Sequence, residues 1–257
     1  GVEVERIAGR AGSFELTTDA GTETTDLVVS NANPAVTERK LLDPADRAHD
    51  PGYWDGQTYA PSAFMLYLGV EGDVDPLEHH TLVLPTDWDD QFAAIFEDSR
   101  WPDDPAYYLS VTSKTDETVA PDGHHAVVVL VPIAPGLDDG PSVRRRYREQ
   151  ILDDLADTTG VDLRDRIVTE TTACVSDFAG RFGDPDGTAL GLAHTLFQTG
   201  PLRPSHRGSL AGLYYTGAYT NPGIGMPICL ISGEHAAAAV REDYPAVVTE
   251  RDGSVPE

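Results

Sequence analysis

Residues 211–240 read AGLYYTGAYTNPGIGMPICLISGEHAAAAV, and this stretch decides how the chain is interpreted. Its start, 213–217, carries aromatic and β-branched side chains and ends on glycine, which predicts a buried strand. The loop 218–225 follows, and its glycines tolerate backbone dihedrals that other residues avoid. Pro227 suits a first helical turn, and the run to Val240 predicts a helix.

A strand, a glycine loop and a helix N-terminus in succession point free N–H groups and the positive end of a helix dipole toward a ligand. Such a ligand atom would be anionic or electron-rich. The spacing alone is equally compatible with a plain structural turn, because two-glycine joints of this kind occur in many α/β proteins.

The longer segment GLYYTGAYTNPGIGMPICLISGE, at 212–234, resembles the C-terminal flavin-contacting signature of carotenoid desaturases of the phytoene desaturase type, which are FAD-dependent oxidoreductases. Four other segments agree with that family in order: DLVVSNANPAVTERKLL at 26–42, PSAFMLYLGV at 61–70, HHTLVLP at 79–85 and TLFQTGPLRPSHR at 195–207. Together these segments span nearly the whole chain. The resemblance implies an α/β (α+β) fold, with part of an FAD/NAD(P)-binding Rossmann-like domain and a substrate domain built on a mixed or antiparallel sheet with helices.

The sequence departs from the family at its start. Family members begin with a strand, a GxGxxG turn and a helix that seat the FAD pyrophosphate, and that unit is absent from this sequence. We therefore expect the chain to be the C-terminal part of a larger enzyme, and to be inactive alone.

The resemblance and the local patterns together predict a division of the chain. We expect an FAD-domain β-meander and strand at 1–34, a substrate-binding domain at 35–200, a return to the FAD domain at 201–245 and a frayed tail at 246–257. Within the substrate domain the patterns predict strands at 64–70, 81–84, 107–112 and 126–132, and helices at 87–98 and 142–157, the latter capped by Ser142. The Pro-, Gly- and Asp-rich residues 43–59 are predicted to be loop.

The resemblance also implies the roles of individual loop residues. Gly217, Ala218 and the turn Gly223-Ile224-Gly225-Met226 are expected along the isoalloxazine and ribityl region of FAD. The helix that begins near Pro227 is expected to stabilise negative charge at the flavin N1–C2 carbonyl edge. Tyr219, Thr220 and Asn221 are expected on the substrate side.

Other polar residues near this stretch have less defined roles. Asn31 and Asn33 either approach the cofactor or close a turn before Pro34. The catalytic residues are unknown; His194, Arg203 and His206 are the titratable residues nearest the stretch in sequence, and they are candidates for a base or an electrostatic role. No metal site is expected, because Cys174 and Cys229 give no metal-site spacing.

The implied reaction is FAD-dependent desaturation of a carotenoid precursor such as phytoene, a long apolar polyene. The reaction requires a hydride acceptor, which a flavin provides and an amino-acid side chain does not. One alternative is a related flavoenzyme: a carotenoid 3,4-desaturase, an isomerase or an amine oxidase. Amine oxidases usually place a glutamate soon after the strand-end glycine, where this chain has Ala218-Tyr219. The other alternative is a non-enzymatic module that binds a carotenoid or lipid.

The net charge and the hydropathy of the chain limit the classes of partner that the protein can have. The chain has 43 acidic and 18 basic residues, a formal net charge of -25, which predicts a cytoplasm at molar salt or, alternatively, a basic partner. Such a charge disfavours binding of nucleic acid.

The longest nearly apolar run, 126–134, is far shorter than the roughly 20 residues of a membrane-spanning helix. The basic cluster 144–148 either touches lipid headgroups peripherally or pairs with Glu149, Asp153 and Asp154. Oligomeric state stays open.

The net charge predicts that salt stabilises this chain. Raising KCl from about 0.1 M to about 1 M shortens the Debye length from about 10 Å to about 3 Å, so repulsion among the acidic groups is screened. Thermal unfolding followed by circular dichroism should show a midpoint that rises across this range. A midpoint that stays constant or falls would contradict the prediction.

Overall fold

The computed structural model describes residues 1–245, which form two compact units. The first unit contains residues 1–60, 182–185 and 190–245, and the second contains residues 61–181 and 186–189. The second unit thus lies inside the range 35–200 in which a substrate-binding domain is predicted. The predicted tail, 246–257, lies outside the described residues. Among residues 1–245 the structure contains no helix with the length and apolarity needed to span a membrane.

The first unit is built on two small sheets. Three antiparallel strands come first: β1 (Val4–Ala8), β2 (Phe14–Thr18) and β3 (Gly21–Thr25). Strand β4 (Val28–Ser30) then pairs in parallel with β10 (Leu213–Tyr215), in the register Leu213 to Val28. All three residues of β10 are buried, as its aromatic and apolar sequence predicts. The parallel pair therefore brings the stretch that follows β10 beside residues 31–34.

Short helices follow β4 in the first unit. Helix α1 (Pro34–Val36) begins at Asn33, whose side chain accepts a hydrogen bond from Ala35 N, and it continues into a π-helical turn, Thr37–Leu41. The prediction of loop for 43–59 is wrong in part, because α2 (Pro51–Asp55) lies within it. Asp50 caps α2 by accepting from Tyr53 N, and buried Trp54 donates from Nε1 to Glu38 Oε2 at 3.0 Å. Cap and packing outweigh the loop-like composition.

The second unit is organised around one five-stranded sheet, in the order β6-β7-β8-β5-β9, whose paired strands are all antiparallel. Its strands are β5 (Ser62–Glu71), β6 (His80–Val83), β7 (Tyr107–Val111), β8 (His124–Ile133) and β9 (Ile167–Ala173). Of the mixed and antiparallel sheets left open by the sequence, the structure has the antiparallel one. Burial alternates along β5 and β8, so one face of the sheet lies in the core and the other is partly exposed.

Three helices belong to this part of the chain: α3 (Trp88–Phe96), α4 (Pro141–Thr159) and α5 (Val175–Phe182). Helix α4 buries Tyr147, Ile151, Leu152 and Leu155 in the same core cluster as the inner sheet residues, as its apolar stripe predicts. The predicted cap at Ser142 is wrong. The helix begins one residue earlier, at Pro141, and Gly140 takes the N-cap position without a side-chain hydrogen bond.

Leu155→Ala should destabilise the protein by about 2–5 kcal/mol, because this fully buried side chain fills the core between α4 and the sheet. Arg146→Ala, at an exposed position of the same helix, is the matched control and should change the free energy of unfolding by less than about 0.5 kcal/mol. Chemical denaturation in molar KCl measures both. Equal effects of the two substitutions would show that α4 does not pack as described.

Candidate functional site

The glycine loop between β10 and the last helix has a backbone that only glycine adopts readily. Helix α6 spans Met226–Asp243, and Gly225 is its N-cap without a side-chain hydrogen bond. The φ angles of Gly217, Gly223 and Gly225 are 107°, 133° and 122°. Helix α6 thus starts with first-turn N–H groups that no side chain caps, which is the local geometry that the sequence predicts.

Ser232 holds the start of the glycine loop to α6. Its Oγ accepts a hydrogen bond from Gly217 N at 2.8 Å and bonds the hydroxyls of Thr216 at 3.2 Å and Thr220 at 2.8 Å. Ser232 and Thr220 are fully buried. The loop therefore folds back on the helix that follows it. Sequence reasoning did not identify Ser232; the available signal is a single small polar residue inside the apolar run 226–233.

The two arms of the loop contact the segment 192–203. His194 Nε2 accepts a hydrogen bond from Ile224 N at 3.1 Å, and a Cβ on Gly223 would collide with this ring nitrogen. Arg203 donates to Ala218 O at 2.6 Å. The structure thus brings two of the three titratable candidates, His194 and Arg203, against the predicted cofactor-binding residues.

Three side chains from distant parts of the first unit meet next to the loop. Asn33 Nδ2 donates to Asp184 Oδ1 and to the hydroxyl oxygen of Tyr219, both at 2.8 Å, and the Tyr219 hydroxyl donates to Asp184 at 2.9 Å. Burial raises the pKa of Asp184 above its ordinary value, although these two donors oppose the shift. The pKa of Tyr219 is also raised, through burial and then through the nearby Asp184 carboxyl. Asp184 is a second residue that sequence reasoning missed.

The neighbouring asparagine, Asn31, also reaches the loop. A Cβ added to Gly217 would lie 2.6 Å from Asn31 Oδ1, so the glycine allows this close approach. Asn33, by contrast, caps α1 and bonds Asp184 and Tyr219. Asn33 therefore closes the turn at Pro34, and its approach to the cofactor stays a prediction.

A polar cavity in the first unit brings together three of the predicted site residues. The cavity has a volume of about 420 Å³, and Arg203, His206 and Asn221 are among its lining residues. His206 Nδ1 donates to Tyr215 O at 3.0 Å, because a carbonyl oxygen only accepts. Among the described residues, the buried side-chain atoms without a hydrogen-bond partner are Arg203 Nε, His206 Nε2 and the Tyr215 hydroxyl.

Large apolar side chains are exposed at the start of α6. Met226 is 86% and Leu230 is 78% exposed in the described part of the chain, one turn apart on the helix that follows the glycine loop. Single exposed apolar residues are ordinary on protein surfaces. Two of them next to uncapped helix N–H groups give a surface that suits a planar ligand with both apolar and carbonyl groups.

The second unit contains an apolar cavity of about 300 Å³ beside α3. Trp88, Phe92 and Phe96 of α3 are partly exposed, and they lie along the cavity with Leu82 of β6 and Leu130 of β8. Polar atoms contribute almost nothing to its lining. The aromatic side chains of α3 are therefore turned toward a cavity that suits an apolar ligand.

Two of the four arginines in the basic cluster of α4 are paired with acids of the second unit. Arg144 forms ion pairs with Asp139 at 2.5 Å and Asp177 at 2.6 Å, and Arg148 with Glu170 at 2.6 Å and Glu149 at 2.7 Å. The predicted partner Glu149 is correct. The predicted partners Asp153 and Asp154 are wrong: Asp153 pairs with Arg164, and Asp154 accepts from the Tyr107 hydroxyl.

With the fold and the loop established, the chain can be placed among known proteins. A model of the flavin containing amine oxidoreductases matches residues 1–241, and the chain belongs to this family. A carotenoid 3,4-desaturase from Haloarcula japonica is 61% identical over 94% of this chain and 49% of its own length. A zeta-carotene-forming phytoene desaturase from Myxococcus xanthus is 34% identical over 90% of this chain and 46% of its own.

Solved structures agree on the fold. A putative protoporphyrinogen oxidase from Exiguobacterium superposes with a TM-score of 0.57 at 18% identity, over 94% of this chain and 47% of that one. An oxidoreductase from Methanosarcina mazei gives 0.56 at 17% identity, over 93% and 49%. The chain spans about half the length of the relatives it matches. The α/β (α+β) fold class and the family predicted from the sequence are thereby confirmed.

Ser232→Ala should loosen the glycine loop. It leaves the buried Gly217 N–H and the Thr220 hydroxyl without their shared partner, which costs about 1–3 kcal/mol of stability. Amide exchange at residues 217–220 should accelerate. Ser205→Ala, at an exposed serine outside this network, is the control and should leave both quantities near their original values. Unchanged exchange in the Ser232 variant would contradict the role assigned to this hydroxyl.

Proposed function

We propose that the whole protein is an FAD-dependent carotenoid desaturase, and that its target is a 3,4 bond of a carotenoid. The observation that carries the proposal is the 61% identity with the Haloarcula japonica carotenoid 3,4-desaturase, which extends over 94% of this chain. Identity with the phytoene desaturases is lower, 34% for the Myxococcus xanthus relative and 31% for that of Neurospora crassa. This difference favours the 3,4-desaturase alternative over phytoene as the substrate.

The first unit fits part of an FAD domain. Three glycines with positive φ precede the uncapped start of α6, and at Gly217 and Gly223 an added Cβ would collide with Asn31 and His194. We propose that Gly217, Ala218, Gly223, Ile224, Gly225, Met226 and Pro227 hold the isoalloxazine end of FAD. When bound, FAD supplies the hydride acceptor that desaturation requires. The helix N–H groups offer electrostatic stabilisation to its carbonyl edge.

The second unit fits a substrate domain for a polyene. The cavity beside α3 has an apolar lining, and its 300 Å³ lies at the lower end of the range of small-molecule sites, about 300–1,000 Å³. Such a cavity suits one end of a long apolar chain. On the first unit, Asn221 lines the polar cavity, whereas the hydroxyls of Tyr219 and Thr220 are bonded internally. We propose Asn221 as the most accessible of the three residues expected on the substrate side.

The three titratable candidates are better suited to shaping the site than to removing a proton. The lone pair of His194 Nε2 is taken by the Ile224 N–H, so this nitrogen is an anchor rather than a base. His206 Nε2 is buried, and Arg203 has no lone pair to offer. We propose that His194 and Arg203 hold the glycine loop in position, that His206 anchors the end of β10 through Tyr215 O, and that Arg203 supplies positive charge beside the loop.

The surroundings of the protein follow from its charge. We propose a cytoplasm at high salt, because acids outnumber bases 43 to 18 and the similar desaturase comes from Haloarcula japonica. The same charge disfavours nucleic acid. A peripheral membrane contact is also proposed, with Arg145 and Arg146, which are exposed, facing the headgroups while Arg144 and Arg148 are paired with acids.

The test is made on the whole protein, purified in molar KCl. It should release about one FAD per chain on denaturation. With a carotenoid whose 3,4 bond is saturated, the product should carry one more conjugated double bond, seen as a red-shifted absorption spectrum, and phytoene should react more slowly. Faster conversion of phytoene would reverse the assignment of substrate. Stoichiometric carotenoid binding with no flavin would replace the enzyme by a binding module.

A further inference from the structure

Arg203 is a buried cation without an acidic partner. Its side chain belongs to a residue that is 3% exposed, and no carboxylate among residues 1–245 lies within 4 Å of it. Burial lowers the pKa of its guanidinium, yet an arginine remains charged in a protein. Because burying a charge is costly unless it is hydrogen-bonded, the position of this cation requires compensation from nearby dipoles.

Backbone carbonyls provide that compensation and tie Arg203 to the glycine loop. Its Nη1 donates to Gln198 O at 2.9 Å, and its Nη2 donates to Leu192 O at 2.9 Å and to Ala218 O at 2.6 Å. On the other arm of the loop, a Cβ placed on Gly223 would lie 3.5 Å from Arg203 Cζ. The guanidinium therefore lies against both arms of the loop, at Ala218 and at Gly223.

The nearby Arg207 shows how differently an arginine is placed on the surface. Arg207 is half exposed, and it pairs with Glu242 at 2.7 Å and with Asp243 at 2.7 Å. Its charge is neutralised locally and is also screened by salt. Arg203, by contrast, is 3% exposed and has no carboxylate within 4 Å among the described residues, so its field at the loop is screened less than that of an exposed, paired arginine.

We propose that Arg203 is a positioning residue for the flavin loop and that its unneutralised charge raises the reduction potential of the FAD bound there. The inference rests on the proposed function. The two-electron-reduced cofactor is more negative than the oxidised one, so a buried cation at Ala218 and Gly223 stabilises the reduced form preferentially. The guanidinium N–H groups of Arg203 hold the loop in place, and its positive charge raises the reduction potential of the FAD.

Three variants of the whole protein separate these effects: Arg203→Met, Arg203→Lys and the control Arg207→Met. Arg203→Met removes the charge and should weaken binding of reduced relative to oxidised FAD at least tenfold, which lowers the midpoint potential by about 30 mV. Arg207→Met removes the same formal charge from a paired surface site and should leave the potential unchanged. Spectroelectrochemical titration in molar KCl measures the potentials.

Arg203→Lys keeps the charge but cannot reach three carbonyls with a planar fork. Its potential should stay near that of the original protein, while less FAD is retained on purification and amide exchange at residues 217–225 accelerates. If Arg203→Met loses FAD, the Arg203→Lys variant tests the positioning role. Exchange rates and an FAD content equal to those of the original protein in Arg203→Lys would overturn that role.

Two results separate the failure of this inference from the failure of the proposed function. Arg203→Met could bind one FAD per chain with the same midpoint potential as the original protein and Arg207→Met. That result would overturn the electrostatic role and leave the desaturase assignment intact. A whole protein that binds no FAD overturns the proposed function itself, and the inference with it.

Discussion

The glycine loop can keep its shape only because its peptide groups find partners inside the first unit. Gly217, Gly223 and Gly225 adopt φ angles that favour no regular structure, so the loop has no ladder of its own. Ser232 takes the Gly217 N–H, His194 takes the Ile224 N–H, and Arg203 donates to the Ala218 carbonyl. Ser232 belongs to α6, whereas His194 and Arg203 belong to the segment 192–203. The fold of the first unit thus supplies the contacts that hold the irregular turn at the start of α6.

Polar groups on the surface of this chain have different partners from those in its interior. Among residues 1–245, most ion pairs join an arginine to a carboxylate with at least one partner exposed to solvent, and pairs of this kind contribute between 0 and about 1 kcal/mol each, less at high salt. Buried polar groups such as Ser232, Thr220 and Arg203 are bonded to backbone or hydroxyl groups instead. Salt that screens the surface leaves these internal contacts intact. A protein with a net charge of -25 can therefore tolerate molar salt and keep an ordered site.

Regular elements of this fold could be predicted from the sequence because their residue patterns are local. The continuous apolar run of β5, the apolar stripe of α4 and the glycine and proline signals before α6 are each visible within about 20 residues. The family resemblance added the cofactor and the order of segments. The prediction of Ser142 as the N-cap of α4 was wrong because Ser142 and Pro141 both signal a helix start. The helix begins at the proline.

The supporting contacts of the loop could not be predicted, because they join residues that are far apart in sequence. Asp184 meets Asn33 across 151 positions and Tyr219 across 35, and no local pattern encodes such a meeting. Arg203 looked like one basic residue among several in a proline-rich segment. Its burial, its three carbonyl partners and its lack of an acid are properties of the folded chain.

Hydrogen exchange of the whole protein, with and without FAD, tests most directly whether this loop holds the cofactor. We predict slower exchange on FAD binding at the amides of residues 217–229, where the glycine loop meets the start of α6. Exchange in β9, on the edge of the sheet in the second unit, should not change in the absence of substrate. Bound FAD with unaltered exchange across 217–229 would show that this loop does not hold the flavin.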